Sequence, residues 1–210
     1  MRLLDTSTRD GPMGRTKTYE RDALIDRAVE LFRSHGFAAT SASMLEERLG
    51  VNRSSIYAEF GSKQDLFEVS LERYREAVVD HRFGPLAEPG AGIEAIAAVF
   101  DFYGAAGDGP AFGRGCLLCN TAIELGPDDP IGNGAVPRYL ERISSAFTFA
   151  LDDAARNGEI RGSIDTDQEA QFLTASVLGI FVMLRAAAPP TAISAAATAA
   201  IAHVASLRSP

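Results

Sequence analysis

The chain has 210 residues, 46% of them apolar, and carries a formal net charge of −8. This size allows a buried core and one or two small domains. Apolar runs stay short of the roughly 18 residues that a membrane helix needs, and the amino terminus has no apolar stretch of signal-peptide length. We therefore expect a cytoplasmic protein without a membrane span. The two cysteines fit a reducing compartment and exclude a framework of disulfides.

The amino-terminal third is electrically balanced, because residues 15–75 hold ten basic and ten acidic side chains. Proteins that bind nucleic acid are usually basic where they bind. Charge alone therefore does not indicate DNA binding, which would require the basic residues to cluster on one face.

The chain begins with a segment, residues 1–16, that is rich in Asp, Thr, Ser, Gly and Pro and has no periodicity. This composition predicts a mobile tail, and Arg15 and Lys17 leave open an arm that reaches DNA. Residues 20–35 then place their apolar side chains at helical spacing, which predicts a first helix that ends at Gly36.

The stretch from Thr40 to Lys63 has the pattern of two short helices joined by a tight turn. The first is amphipathic and is stopped by Gly50, the usual residue just beyond a helix end. Asn52 is placed to cap a second helix over residues 53–60, whose outward side chains are small or polar. This pattern predicts a helix-turn-helix, because a helix that enters the major groove must keep bulky side chains away from the base edges.

Four pieces of this region carry a resemblance to a known family: LFRSHGF, the pair Thr40-Ser41, LGVNRSSIYAEF and SKQDLF. With their spacing, they resemble the DNA-binding domain of the TetR/AcrR family of bacterial transcriptional regulators, over roughly residues 17–75. The resemblance implies an all-α, two-domain fold with a three-helix DNA-binding head. It also implies a homodimer that represses transcription at a palindromic operator until a small-molecule effector releases it.

The predicted DNA contacts lie on the two short helices and at the start of the next one. By resemblance, Tyr57 contacts a backbone phosphate, and the Thr40 hydroxyl faces another. The alternative is that Thr40 or Ser41 only caps its helix. Lys63 opposes the helix dipole just after the cap residue Ser62, which suggests a phosphate partner. The full predicted set is Thr40, Ser41, Asn52, Arg53, Ser54, Ser55, Tyr57 and Lys63.

A long helix over residues 63–82 is predicted to link the head, residues 17–62, to a carboxy-terminal body, residues 83–210. The segment 83–92 interrupts the helical pattern with two prolines and three glycines, so we place the domain boundary there. By resemblance, the tilt of the linking helix carries a signal from the body to the head.

The body is helical by pattern and lacks the alternation typical of strands. Its predicted helices cover residues 93–106, about 115–125, 136–157, 166–188 and 191–207. The last two are apolar over most of their faces, and the final one is rich in alanine, which lets helices approach closely. We therefore expect these two helices to pack against another subunit and to form a four-helix bundle with their copies.

Cys116 and Cys119 form a CxxC near a predicted helix start, and two hypotheses are open. They are inert core residues one turn apart, or they form a thiol pair that senses oxidants or electrophiles. In the second case Cys116 is the more reactive and Arg114 adds to the effect. A thiol oxidoreductase is the corresponding alternative function. The three histidines are scattered along the chain, so no metal site is expected.

Aromatic residues gather in the body, where they fit a core and also the wall of a cavity for an apolar effector. The predicted effector-binding residues are Tyr103, Phe112, Cys116, Asn120, Glu124, Phe147 and Phe181. The sequence shows no Ser/His/Asp arrangement, phosphate-binding glycine loop or paired carboxylates. No enzyme activity and no cofactor are therefore expected.

Overall fold

The structure, a computed structural model, describes residues 13–126 and 128–210. Within these two ranges the chain is helical and forms no β-strand, apart from one isolated bridge between Ile160 and Arg208. This confirms the all-α fold class. The α-helices are α1 Met13–His35, α2 Ala42–Leu49, α3 Arg53–Phe60, α4 Lys63–Tyr74, α5 His81–Phe83, α6 Gly92–Gly104, α7 Leu117–Glu124, α8 Pro130–Arg156, α9 Thr166–Arg185 and α10 Pro190–Ser206.

The first helix begins earlier than the sequence predicted. Because α1 starts at Met13, residues 13–16 are helical and do not belong to a tail. The rest of the predicted tail, and the side chains of Arg15 and Lys17, lie outside the described part of the chain. Among the described helices, none combines the length and the apolar character that crossing a membrane requires.

Helices α1 to α4 form the head around a small aromatic core. The rings of Phe32 in α1 and Phe67 in α4 meet edge to face, with their centroids 4.8 Å apart. Leu49 of α2 and Ile56 of α3 are buried in the same hydrophobic core. Gly50 ends α2 in a left-handed backbone conformation with φ 71°, as its position in the sequence predicted. Burial of these apolar side chains fixes the angle between α2 and α3.

The linking helix is not the regular α-helix that the sequence predicted over residues 63–82. After α4 comes a π-helical segment, Arg75–Asp80, followed by the single turn of α5 and a 3-10 turn, Gly84–Ala87. In a π-helix the hydrogen bonds join residues five apart. This widening brings Tyr74 and Val79 to the same side of the helix, where both are buried.

Helices α6 to α10 form the body, in which α10 packs on α6 and α8 packs on α9. Phe147 of α8 stacks on Phe100 of α6, with ring centroids 6.1 Å apart. The same Phe147 ring meets Phe83 of α5 edge to face at 5.9 Å. The end of the linking helix is therefore anchored in the aromatic core of the body.

Two helix starts in the body differ from the predicted ones. Helix α8 begins at Pro130 rather than near residue 136, because the Asp129 carboxylate caps it and accepts the N–H of Ile131 at 2.9 Å. Proline is also favourable in the first helical turn. Helix α7 begins at Leu117, so Cys116 is its N-cap residue and does not lie in its first turn.

Candidate nucleic-acid interface and adjoining cavity

The N-terminus of α2 is capped by Ser41 and not by Thr40. The exposed Ser41 hydroxyl accepts the N–H of Met44 at 3.2 Å. Thr40 is fully buried, and its hydroxyl donates to the carbonyl oxygen of Gly36 at 2.6 Å. An enclosed hydroxyl cannot face a phosphate, so the predicted phosphate contact of the Thr40 side chain does not hold.

The start of α3 is held by side chains on both sides of the turn. The side-chain oxygen of Asn52 accepts the N–H of Ser55 at 2.8 Å, as predicted for an N-cap, and also accepts the Ser54 hydroxyl at 2.7 Å. Glu46 of α2 reaches across the turn and accepts the N–H of Arg53 at 2.6 Å. These bonds satisfy amide groups that a helix start leaves open, and they fix α3 against α2.

The outward face of α3 presents one guanidinium group among small side chains. Arg53, Ser54, Ser55 and Ala58 are all exposed. The guanidinium carbon of Arg53 lies 5.3 Å from the ring centroid of Tyr57, one turn later, and Arg53 forms no ion pair with any described residue. A guanidinium placed in this way can donate two parallel hydrogen bonds to guanine, and neighbouring hydroxyls can bond bases or phosphates.

Lys63 has its partners inside the protein. Its ammonium group donates to the carbonyl oxygens of Phe37 at 2.9 Å and Thr40 at 3.0 Å, and it lies 4.3 Å from the ring centroid of Phe37. Ser62 caps α4 as predicted, accepting the N–H of Asp65 at 3.1 Å. The cation at this helix start therefore does not require a phosphate, although an ammonium group has three donors and one remains.

Polar side chains join the carboxyl end of α1 to the body, and we call this set the head–body contact. Arg185 of α9 donates to the carbonyl oxygens of Arg33 at 3.2 Å and Ser34 at 3.0 Å. Arg33 donates from Nε to the carbonyl oxygen of Gly115 at 2.8 Å. Asn120 of α7 donates to the Arg33 carbonyl oxygen at 3.5 Å. Three segments of the body thus hold the last turn of α1.

Glu124, at the end of α7, completes the head–body contact. Its carboxylate accepts the backbone N–H groups of Phe37 at 2.9 Å and Ala38 at 2.6 Å. Gly36 allows this close approach, since its φ is 83° and a Cβ there would lie 2.5 Å from a carboxylate oxygen of Glu124. Asn120 and Glu124 were predicted to bind an effector, but neither lines the cavity described below. Glu124 is bonded to the head, and Asn120 lies between the head and the body, since its amide also donates to the carbonyl oxygen of Arg114 at 2.7 Å.

A cavity of about 370 Å³ lies where the linking helix meets α1, α6, α7 and α9. Pockets of this size hold small molecules. Its wall is mostly apolar and aromatic, and its fixed charges are those of Arg33 and Arg82, since no carboxylate among the described residues lines it. The lining includes Arg33, Tyr74, Ala77, Val78, His81, Arg82, Phe102, Tyr103, Cys116, Phe181 and Leu184.

The predicted effector-binding residues divide into those that line this cavity and those that do not. Tyr103, Cys116 and Phe181 lie in its wall. Phe147 is fully buried in the body core, and Phe112 lies outside the cavity with 37% of its surface exposed. Arg33 and Arg82 were not predicted to line a cavity, because a basic residue on an amphipathic helix looks like part of a solvated face.

The cysteines are both free and buried. The sulfur of Cys116 lies 3.3 Å from the Tyr139 hydroxyl, and burial raises the pKa of the Cys119 thiol to about 12. Arg114, which we expected to activate Cys116, instead forms an ion pair with Glu30 at 2.6 Å. This arrangement favours inert core residues. The described residues also contain no cluster of three or more His, Cys, Asp or Glu that could hold a metal ion.

The fold and the exposed face of α3 define a helix-turn-helix DNA-binding transcriptional regulator with a helical body. Residues 24–69 match the family model described as bacterial regulatory proteins, tetR family, and residues 92–200 match that of a tetracyclin repressor-like, C-terminal domain. The chain belongs to the TetR family, which confirms the resemblance seen in its sequence.

Relatives and solved structures agree with this assignment. The chain is 35% identical to the uncharacterized HTH-type transcriptional regulator YezE of Bacillus subtilis, over 75% of its own length and 81% of the relative's. It is 32% identical to the HTH-type transcriptional repressor ComR of Escherichia coli, over 82% of both chains. A TetR transcriptional regulator from Chloroflexus aurantiacus superimposes with a TM-score of 0.80 at 25% identity, covering 90% of this chain and 96% of that one. A cysteine variant of the regulator CifR, complexed with double-stranded operator DNA, gives a TM-score of 0.77 at 24% identity, covering 87% and 95%.

Proposed function

We propose that this protein is a repressor that binds a palindromic operator as a homodimer and is released when a small molecule occupies the cavity. The observation that carries the proposal is the outward face of α3. There the Arg53 guanidinium, which forms no ion pair with a described residue, lies among small side chains on a helix with a capped N-terminus. The name of the relative ComR as a repressor, and the operator DNA in the CifR complex, support it.

In this proposal Arg53 reads a base edge, and the groups around it hold the phosphate backbone. Ser41 at the start of α2, Tyr57 on α3 and the remaining N–H of Lys63 are the proposed phosphate contacts, with the exposed Ser54 and Ser55 hydroxyls and the Asn52 amide beside them. Thr40 is left out because it is buried. Phosphate contacts position the protein on the duplex, while the base contact gives it specificity.

The proposed dimer rests on an exposed small-residue and apolar face of α9 and α10. On α9, Phe172 and Val182 are 49% and 45% exposed, and the exposed Ala175 and Gly179 lie between them at spacings of three and four residues. A matching row on α10 consists of Ala195, Thr198, Ala199, Ala202 and Ala205. Rows of this kind are typical of helices that pack against helices, and a large exposed apolar patch is rare on a monomer.

In this proposal a molecule bound in the cavity changes the orientation of the head. Its wall contains Arg33, whose backbone belongs to the head–body contact, together with Ala77 and Val78 of the π-helical segment. A molecule bound there touches α1 and the linking helix at once. It can therefore favour a head orientation that does not fit the operator, provided that it binds that orientation more tightly.

Selection from a pool of random duplexes tests the proposal. We expect the protein to recover a palindromic consensus, which it binds as a dimer with an affinity that falls steeply as salt rises, because phosphate contacts release counterions. Arg53→Ala should relax the preference at one base in each half-site, at a cost of about 1–3 kcal/mol per lost contact.

Arg27→Ala is the matched control for Arg53→Ala, since Arg27 is an exposed arginine of α1 that lies near Arg114 of the body. It removes the same charge from the head without touching α3. Failure to recover any palindromic consensus would contradict the proposal. If both variants lose discrimination between DNA sequences to the same extent, Arg53 does not read a base.

A further inference from the structure

We propose that the molecule bound in this cavity is an apolar acid: a small organic anion, one carboxylate on an aromatic or aliphatic body. The inference rests on the proposed function for the role of the cavity and extends it to the chemistry of the effector. Three features carry it: a largely buried guanidinium whose terminal nitrogens meet no acceptor among the described residues, a second guanidinium that pairs with no described carboxylate, and an apolar wall.

Arg33 supplies the largely buried guanidinium. Its side chain is only 11% exposed, and its guanidinium carbon lies 5.6 Å from the ring centroid of Tyr74. Only Nε is engaged, by the carbonyl oxygen of Gly115. The nearest carboxylate oxygen belongs to Glu30, 3.8 Å from Nη1 and beyond hydrogen-bond distance; Glu30 pairs with Arg114. In the described part of the chain, both terminal nitrogens of Arg33 therefore have no acceptor.

Arg82, in α5 at the end of the linking helix, supplies the second guanidinium of the cavity wall. Its guanidinium carbon lies 3.4 Å from the ring centroid of Phe102, which lines the same cavity, and none of the described carboxylates pairs with it. Burial raises the pKa of the Tyr103 hydroxyl, and the charges of Arg82 and Arg33 both act against that rise. Both guanidinium groups thus share the wall of one cavity with Tyr103.

The neighbouring cleft differs from the cavity because carboxylates lie among its arginines. A cleft of about 600 Å³ between α4 and α8 also contains arginines. There, however, Arg75 is bonded to Glu72 and Asp80, and Arg142 donates to Asp80 at 3.2 Å. Glu72 itself lines that cleft. Two of the three arginines of this cleft are thus paired with carboxylates, and Arg138 has no ion pair with a described residue. The cavity differs in that no carboxylate among the described residues lines it, although Glu30 lies 3.8 Å from Arg33.

The apolar part of the cavity wall determines what the rest of the bound molecule must be, apart from its carboxylate. Val78, Phe102, Phe181 and Leu184 supply apolar surface, and the ring of Tyr103 meets that of Phe181 edge to face at 4.7 Å. An unpaired cation in such surroundings is costly unless an anion joins it, and a charged hydrogen bond is among the strongest that a protein makes. A molecule with one carboxylate and an apolar body satisfies both parts of the wall.

Calorimetry with matched acid and amide pairs tests the inference on the full chain without DNA. The probes are naphthalene-1-acetate, 4-phenylbutyrate and octanoate, each compared with its primary amide, which has nearly the same shape but no charge. We expect at least one acid to bind, and its amide to bind at least about tenfold more weakly, since the amide forfeits a charge-assisted hydrogen bond.

Two variants test whether Arg33 and Arg82 bind the carboxylate of the acid. Arg82→Gln and Arg33→Gln should each weaken binding of the acid about tenfold or more, while affinity for the amide changes less than about twofold. Arg82 makes no hydrogen bond to any described residue, so its variant tests the inference even if Arg33→Gln disturbs the fold. Arg156→Gln is the control, because Arg156 carries the same charge but is 62% exposed on α8 and lies outside the cavity wall.

Several results would overturn the inference: no binding by any of the three acids, equal binding of acid and amide, or acid binding that both glutamine variants leave unchanged. Release of the operator is measured separately. If a neutral amide binds the cavity and releases operator DNA as well as its acid does, the proposed function stands and the anion inference is wrong. If an acid binds through Arg33 and Arg82 without affecting operator affinity, the inference stands and the effector step of the proposed function is wrong.

Discussion

Removing the Glu124 carboxylate should loosen the head from the body. In Glu124→Ala, the backbone N–H groups of Phe37 and Ala38 lose acceptors at 2.9 Å and 2.6 Å. A hydrogen bond to a charged group contributes about 1.5–3 kcal/mol when buried, and less at an exposed site. Because Glu124 is exposed and water can replace it, we expect the free energy of unfolding to fall by about 1–3 kcal/mol for the two bonds together.

Two measurements and one control test this value. Urea unfolding gives the change in free energy, and amide hydrogen exchange reports whether Phe37 and Ala38 lose protection while the core of α1 keeps it. Ile123→Ala is the control, since Ile123 precedes Glu124 on α7 and is 70% exposed. If both variants unfold at the same urea concentration, and exchange at Phe37 and Ala38 is unchanged, the carboxylate does not hold the head.

Gly36 offers a cross-check on the same contact. Gly36→Ala places a Cβ 2.5 Å from a Glu124 carboxylate oxygen and forces a left-handed conformation, φ 83°, on a residue that disfavours it. The conformational part costs about 1–2 kcal/mol in any background. The steric part should disappear in the double variant with Glu124→Ala. A double-mutant cycle with no coupling between the two sites would refute the geometry.

Three further outcomes are expected elsewhere in the molecule. Lys63→Ala should lower stability as well as operator affinity, because it removes the donor to the Phe37 and Thr40 carbonyls; an unchanged urea midpoint would contradict this. Cys116 and Cys119 should alkylate more than about a hundredfold more slowly in folded than in unfolded protein, since both are buried, and fast labelling of either would revive the thiol switch. Ala199→Glu should dissociate the proposed dimer in light scattering, because it buries an unpaired charge. Ala98→Glu, on an exposed position of α6, should not.

Local signals in the sequence were sufficient for the head. Gly50, Asn52 and Ser62 each act within a few residues of their own position, through a left-handed backbone or a side chain that reaches the next turn. Such effects depend little on the rest of the fold, so their roles could be predicted. Thr40 and Ser41 are both good N-cap residues, and the sequence does not show that Thr40 is the one that is buried and bonded to the carbonyl oxygen of Gly36.

The cavity and the head–body contact could not be predicted from local patterns. Glu124 meets Phe37 across 87 positions of sequence, and Arg185 meets Arg33 across 152. The sequence around each of these residues gives no indication of its distant hydrogen-bond partner. The π-helical segment could not be predicted for the same reason. Its widening is associated with the burial of Tyr74 and Val79 against parts of the chain that are distant in sequence.

Arg33 belongs to both the cavity and the head–body contact, and this double role constrains how an effector can act. Its terminal nitrogens are available to an anion, while its carbonyl oxygen accepts from Arg185 and its Nε holds Gly115. A bound acid can shift the head only by the difference between its affinities for the two head orientations. Thermodynamic linkage then requires operator DNA to weaken acid binding by the same factor by which the acid weakens operator binding. Calorimetry of the acid with and without saturating operator measures one factor, and operator affinity with and without saturating acid measures the other. The two factors must agree at equilibrium, and a factor of one in both measurements would mean that binding of the acid is not coupled to binding of the operator.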